Sequence, residues 1–377
     1  MLVAPSDAHV SPAPARHLTW QGLRLALVGP LPPPSAGMAN QTEQLARLLR
    51  AEGTDLRVVR TNPPYRPGWI SPIRGLRGGV RLLSYVLTLA KQLRGVQLVH
   101  LMANSGWSWH LHAAPAIWAA SLAGIPTVVN YRGGGAEAFF QRSFRLVRPS
   151  LVRASAVVVP SRFLEGVFRR RGLDVHVVPN VIDLERFSPA TSRPANRPPH
   201  LLIARNLEAI YDIPTGLRAF DLVRGSFPGA RLTVAGTGPL RARLERLATD
   251  LGLDTAVRFT GRLENAEMVL LYRDADLVLN PTRVDNMPIS LLEAQASGVP
   301  IVSSDVGGIP FIVEHERTGL LVGPGDAGAM AAAAMRILRE PALATTLRES
   351  GLAAVTHYTW PVVKDQLLAV YAGVLAG

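Results

Sequence analysis

The segment RVDNMPISLLEAQASGVPI, residues 283–301, carries two carboxylates, Asp285 and Glu293, on either side of a proline that opens an apolar helical pattern. Pro288 suits the first turn of that helix, Asn286 is a candidate cap, and the N–H groups of residues 287–290 are left free to face a ligand. Glu293 then stands about a turn and a half in, roughly 8 Å along the axis. Carboxylates this far apart serve the two ends of one ligand but cannot share a proton. Ile289, Leu292 and Ala296 share a face near Glu293, so that carboxylate borders a buried stripe, where hydrogen bonding is a better use for it than solvation. The plain alternative is a capping Asp and a solvated Glu.

Other residues have the chemistry to complete such a site. Arg205 ends the apolar run HLLIA (200–204), where a guanidinium makes bidentate contacts to phosphate oxygens. VAGTGPL (234–240) ends in a glycine-rich turn, and RFTGRL (258–263) places Gly261 where backbone can approach a flat base. Near the start of the chain Gly37 and Met38 stand just before a helical pattern, a place where backbone N–H groups and the helix dipole favour an anion. The spacing there is not GxGxxG, and many βα loops carry a glycine for geometry alone.

The elements that must position these residues are legible as twelve short apolar runs alternating with helical patterns. Six runs fall in the first half (23–29, 56–60, 97–102, 126–131, 155–160 and 175–180) and six in the second (200–204, 230–236, 256–261, 275–281, 299–304 and 318–324). Continuous hydrophobicity fits strands covered on both faces, as in parallel sheets. The expected fold is therefore α/β, two doubly wound Rossmann-like domains facing across a cleft, with ligands beyond the carboxyl ends of the strands. The expected boundaries are a disordered tail over 1–20, a first domain over 21–186, a proline-rich linker over 187–199, a second domain over 200–357, and a helix over 358–377 that packs back on the first domain.

Composition narrows the function. The 377 residues exceed one core, and the absence of Cys excludes disulfides, thiolate nucleophiles and Cys-ligated zinc. The first 20 residues lack the pattern of a signal peptide. Two apolar segments, 82–93 and 113–129, fall short as membrane spans, the first by length and the second because Gly124-Ile125-Pro126 breaks it. Residues 1–190 hold 22 Lys+Arg against 9 Asp+Glu, a net of +13, which leaves −1 for the rest of a chain whose net charge is +12. Clusters at Arg74, Arg77 and Arg81, at Arg142, Arg145 and Arg148, and at Arg169, Arg170 and Arg171 are either solvated faces or a surface for anionic lipid or a phosphorylated substrate. No nucleic-acid module accompanies them.

With these residues in place the chain resembles the retaining glycosyltransferases of family four, which have the two-Rossmann GT-B fold, over about residues 23–375. The strongest motif is DNMPISLLEAQASGVPIV, similar to the family's Glu, seven residues, Glu pattern, supported by VPSRFLEGVF, VVPNVIDLERFSP, AGTGPL, RFTGRL and GGIPFIVEHERTGLLV. The resemblance implies that Glu293 holds the ribose of a sugar nucleotide and that the backbone of Gly261, Arg262 and Leu263 holds its base. It implies further that Arg205 neutralises the diphosphate, that Gly37 and Met38 approach it from the opposite domain, and that Asp285, with the backbone of Asn286, Met287 and Pro288, contacts sugar hydroxyls and phosphate. Such enzymes retain anomeric configuration, need no metal or other cofactor, and use the leaving phosphate to help deprotonate the acceptor.

Three departures stand out. The family's first Glu is Asp285 here. RNLEAIYDIPTG (205–216) lacks the phosphate-binding Lys that usually follows the Arg, and NYRGGG (130–135) has Arg132 where the family shows a His. Arg132 is expected to supply the missing cation, the alternative being a salt bridge across the domain interface. His100 and Tyr131 are candidate donor or acceptor contacts, His100 equally a structural residue. The expected activity is hexosyl transfer from a nucleotide-sugar to a glycan or lipid-linked acceptor in envelope polysaccharide biosynthesis, by a cytoplasmic protein peripheral on the inner face of the membrane through its basic half. The rivals are a non-catalytic nucleotide-sugar-binding partner and a sugar-nucleotide epimerase on the same fold.

Overall fold

The computed structural model describes residues 18–33, 37–63, 74–191 and 197–377, the side chains of 74–81 excepted. Residues 1–17 of the expected tail, residues 192–196 of the linker, and the Arg74, Arg77 and Arg81 side chains lie outside the described residues.

All twelve apolar runs are strands, in two six-stranded parallel sheets. The first contains β1 (Arg24–Gly29), β2 (Asp55–Arg60), β3 (Leu98–Ala103), β4 (Thr127–Tyr131), β5 (Ala156–Val159) and β6 (His176–Val177), in the order β2-β1-β3-β4-β5-β6. The second contains β7 (His200–Ala204), β8 (Arg231–Ala235), β9 (Val257–Gly261), β10 (Leu277–Asn280), β11 (Ile301–Ser304) and β12 (Leu320–Val322), in the order β12-β11-β10-β7-β8-β9. Each order reverses once, between β1 and β3 and between β7 and β10, and these switch points are where doubly wound sheets open a crevice for a ligand.

Helices cover both faces of each sheet, which is why the strands are apolar throughout rather than alternating. The first domain carries α1 (Gly37–Ala51), α2 (Arg74–Gln92), α3 (Ala114–Leu122), α4 (Ala136–Leu151) and α5 (Arg162–Arg169). The second carries α6 (Ile213–Ser226), α7 (Arg241–Asp250), α8 (Asn265–Asp274), α9 (Ile289–Ala296), α10 (Ala327–Arg339) and α11 (Pro341–Val355). Along β1 the period of two divides the core: Ala26 and Val28 face the cluster under α2 to α5, while Leu25 and Leu27 face the cluster under α1. A last helix, α12 (Trp360–Ala376), buries Val363, Leu367, Val370 and Tyr371 in that second cluster of the first domain.

One boundary moves. Trp20, placed by sequence in the tail, is 6% exposed and packs its ring on Trp360 and Tyr371 at 5.9 and 5.6 Å. Aromatic area on this scale is worth burying wherever two helical rings leave a slot for it, so the ordered chain extends back beyond residue 21. Among the described residues no helix is long and apolar enough to cross a membrane.

Candidate active site

Arg205 and Asp285 leave β7 and β10 at the switch point of the second sheet. The guanidinium donates from Nη2 to Asp285 Oδ2 at 2.5 Å and from Nε to Asn280 Oδ1 at 2.7 Å, with Tyr211 under its face at 5.1 Å. Two glycines let the backbone close around this pair. A Cβ on Gly236 would run into the Arg205 carbonyl, and one on Gly308 would run into the Asn286 carbonyl, so no larger residue fits either place. Asp285 is thereby fully engaged, its Oδ1 accepting the Asn286 N–H at 2.7 Å.

Asn286 is not the cap of α9. Pro288 occupies the cap position, and the Asn286 side chain accepts the hydroxyl of Ser161, which itself caps α5 in the first domain. Met287 is turned the same way: its carbonyl accepts from Asn180 Nδ2 at 2.8 Å, and its sulfur faces the Asn180 N–H at 3.3 Å. The loop before α9 is therefore held by two residues of the first domain. Neither Ser161 nor Asn180 was singled out from sequence, although both stand in the quoted segments VPSRF and VVPNVID, the one signal that pointed to them.

Glu293 and Gly37 line one cavity of about 390 Å³ between the sheets, together with Gln41, Arg47 and Arg186. Glu293 is half-buried, and burial raises its pKa to about 7 against the opposing pull of the Tyr272 hydroxyl, Arg205 and Arg186. Tyr272 Oη lies 2.9 Å from Glu293 Oε2 and 3.1 Å from the Ser290 carbonyl. Ionised, Glu293 shares the single hydroxyl proton with that carbonyl; protonated, it donates to Tyr272, which donates to Ser290. Met38 is half-buried beside Gly37, and Gly261 turns the chain at φ 74° with Arg262 exposed and Leu263 half-buried.

Arg132 is half-buried and pairs with no carboxylate among the described residues, so the interface salt bridge is set aside. Its Nε donates to Asn130 Oδ1 at 2.9 Å, and its Nη1 donates to Gln41 Oε1 at 2.5 Å and to Asn180 Oδ1. Neutral amide oxygens orient the guanidinium without cancelling its charge. Burial lowers its pKa to about 10, which leaves it charged at neutral pH.

Two candidates are corrected. His100 is in the middle of β3, 0% exposed, bonded to Tyr371 and Asn130, because its parity on the strand points it beneath α12. Tyr131 points to the opposite face, packed among Trp109, Phe140 and Phe168, with its hydroxyl on Ser105 Oγ at 2.7 Å. Neither reaches the cleft.

The description of glycosyl transferases group 1 matches residues 198–340, and that of glycosyltransferase family 4 matches residues 35–186. A glycogen synthase of Mycobacterium tuberculosis is 26% identical over 90% of this chain and 92% of its own. A D-inositol 3-phosphate glycosyltransferase of Saccharomonospora viridis is 32% identical over 54% of this chain and 51% of its own, so the match spans about half of each. Sucrose-phosphate synthase of Thermosynechococcus elongatus superposes with a TM-score of 0.74 at 22% identity, covering 94% of this chain and 99% of that one. Anabaena HepE in complex with UDP and glucose superposes at 0.73 and 18% identity, covering 93% and 99%.

Two facing Rossmann-like domains, each matched on its own side of the cleft, define a glycosyltransferase. The chain belongs to the group 1, family 4 glycosyltransferases.

Proposed function

We propose that the protein transfers a hexose with retention of configuration, without a metal ion, from a nucleotide-sugar to a lipid-linked or polysaccharide acceptor presented at an anionic membrane surface. The observation that carries the donor site is that Gly37 and Glu293 line one and the same cavity. Glu293 there accepts the ribose hydroxyls, and the backbone from Gly261 to Leu263 holds the base. Arg205 and Arg132 face the diphosphate from the two domains and stabilise the charge that develops as it leaves, in a site that pre-orients both cations. Asp285 holds Arg205 and borders the transferred sugar. No nucleophile is needed on this reading, because the departing phosphate takes the acceptor proton on the face it leaves.

The membrane reading is supported by where apolar surface is left uncovered. Helix α3 lies between α2 and α4, and Leu83, Leu87, Leu122 and Leu146 on these helices are more than 60% exposed. Arg142, Arg145 and Arg148 stand exposed on α4, the helix that carries Leu146. Apolar side chains among arginines are what an interfacial surface presents to anionic lipid.

Proton NMR of the first-formed product tests the chemistry: an axial anomeric linkage from an axial donor, formed equally in EDTA, is expected, and an inverted product or loss of activity in EDTA contradicts it. Arg132→Ala is expected to cut turnover at least tenfold, as loss of one preorganised charge-stabilising donor does. Near-normal turnover and donor affinity in that variant would remove Arg132 from the site. Sedimentation with phosphatidylserine vesicles at low salt, lost at high salt, is expected; no sedimentation at low salt overturns the membrane surface.

A further inference from the structure

The face of the first sheet beneath α1 and α12 is built of Leu25, Leu27, Leu98, Val128 and Val158, yet a line of polar side chains crosses it. Tyr371 Oη lies 2.7 Å from His100 Nδ1, His100 Nε2 lies 3.0 Å from Asn130 Nδ2, and Asn130 Oδ1 accepts from Arg132 Nε at 2.9 Å. Tyr371, His100 and Asn130 are at most 2% exposed. Three apolar residues of similar volume would fill this space without a hydroxyl, an imidazole and an amide to satisfy.

The direction of each bond follows from Arg132. A guanidinium only donates, so Asn130 must turn its oxygen toward Arg132 and its amide nitrogen toward His100. His100 Nε2 must then accept, which puts the one ring proton on Nδ1, and that N–H donates to Tyr371. An imidazolium has no acceptor and would break the chain; burial and the Arg132 charge keep the ring neutral, its pKa pushed down to about 3. Arg132 also orients Asn180, whose amide nitrogen reaches the Met287 carbonyl at 2.8 Å, so the line ends in the loop that leads to α9.

We propose that Tyr371, His100 and Asn130 are positioning residues for Arg132, so that the C-terminal helix, having crossed back from the second domain, fixes the angle at which the cleft guanidinium meets the donor. The proposal rests on Arg132 acting in the cleft. It gives the buried His100 and the returning α12 a part in turnover, beyond closing the hydrophobic face of the first domain.

Two measurements test it. In the wild-type protein, nitrogen-15 shifts of the His100 ring at neutral pH are expected to show a protonated Nδ1 and a bare Nε2; a protonated Nε2 overturns the chain. The second is kcat and donor KM for nucleotide release from whichever of UDP-, GDP- or ADP-glucose most raises the melting temperature. Tyr371→Phe and His100→Leu are expected to lower kcat several-fold to about tenfold, the usual effect of small misplacement at a reacting centre, with donor KM little changed. His100→Gln, which offers one acceptor and one donor, is expected to restore most of it. If His100→Leu does not fold, Tyr371→Phe, which removes one hydroxyl, decides alone. Folded variants with wild-type kcat and KM, beside an Arg132→Ala that is crippled, overturn the positioning proposal. Near-normal Arg132→Ala instead overturns the reading of Arg132 and leaves the tautomer result standing.

Discussion

Arg205 and Asp285, 80 residues apart in sequence, meet at 2.5 Å where β7 and β10 run side by side at the switch point of the second sheet. The carboxylate expected against the transferred sugar is thus also what holds the cation proposed for the diphosphate. Asn280 takes the Nε edge of the same guanidinium, so its plane is fixed along two sides.

Asp285→Asn keeps an acceptor for Arg205 but removes the charge that holds it. Turnover is expected to fall roughly 100-fold, the scale on which losing one preorganised electrostatic contact acts. Arg205→Lys is expected to fall as far, because an ammonium cannot reach Asn280 and Asp285 at once in this fork. Steady-state kinetics with either variant within twofold of wild type would contradict this account of the pair.

Glu293 gives a pH dependence whose sign is fixed by its raised pKa. Its carboxyl titrates near 4.5 when unfolded and near 7 when folded, so folding is penalised increasingly as pH rises from about 4.5 to about 7. Donor binding is expected to have the opposite slope, because on the proposed reading ribose hydroxyls donate to the carboxylate: affinity is expected to rise through pH 7. Glu293→Gln is expected to flatten both curves, measured by urea denaturation and by calorimetric titration of the stabilising sugar nucleotide. A wild-type stability that rises over this interval through Glu293 would contradict the assignment.

Ser161 and Asn180 tie the two domains together beneath the cleft. Each alanine substitution removes a partner from groups at the domain contact: Asn286 and the Leu164 N–H for Ser161, and for Asn180 the Met287 carbonyl and Arg132, which keeps Asn130 and Gln41. A loss of about 1–3 kcal/mol is expected from each by equilibrium denaturation. Asn180→Ala is expected to lower kcat as well, because one of the partners it abandons is Arg132, the guanidinium proposed to act on the donor. Wild-type kcat in a folded Asn180→Ala would count against that link.

Helix α12 closes the core of a domain it does not belong to in sequence. Leu367→Ala, at a side chain 2% exposed, is expected to cost about 2–5 kcal/mol as a cavity in the first domain. Hydrogen exchange is expected to rise in β1 and β3, on which Leu367 packs through the shared cluster.

The strands were readable because burial on both faces writes continuous apolar runs, and Arg205, Asp285 and Glu293 because they stand at strand ends or inside a dense motif. The contacts that complete the site were hidden for a different reason. Ser161 meets Asn286 across 125 residues, a pairing set by how the two sheets face each other, and Arg132 meets Asn180 across 48, a pairing set by which strand ends of the first sheet come together, neither by any local pattern. His100 shows the limit most clearly. Strand alternation gives its parity, but only the return of α12 decides that this parity points into a core and not toward the cleft. Asn286, a candidate cap by sequence, stands outside α9, which begins at Ile289, and its side chain goes to Ser161 in the other domain.

The central claim is that a nucleotide-sugar lies between Gly37 and Glu293, and thermal unfolding in the presence of UDP-, GDP- and ADP-sugars tests it most directly. A ligand that binds only the folded state stabilises it by about 2.7 kcal/mol at a concentration 100 times its Kd. At least one of the three is expected to raise the melting temperature of the wild-type protein by several degrees, and to lose most of that effect in Glu293→Ala. No shift with any of them, or an equal shift in Glu293→Ala, would contradict it.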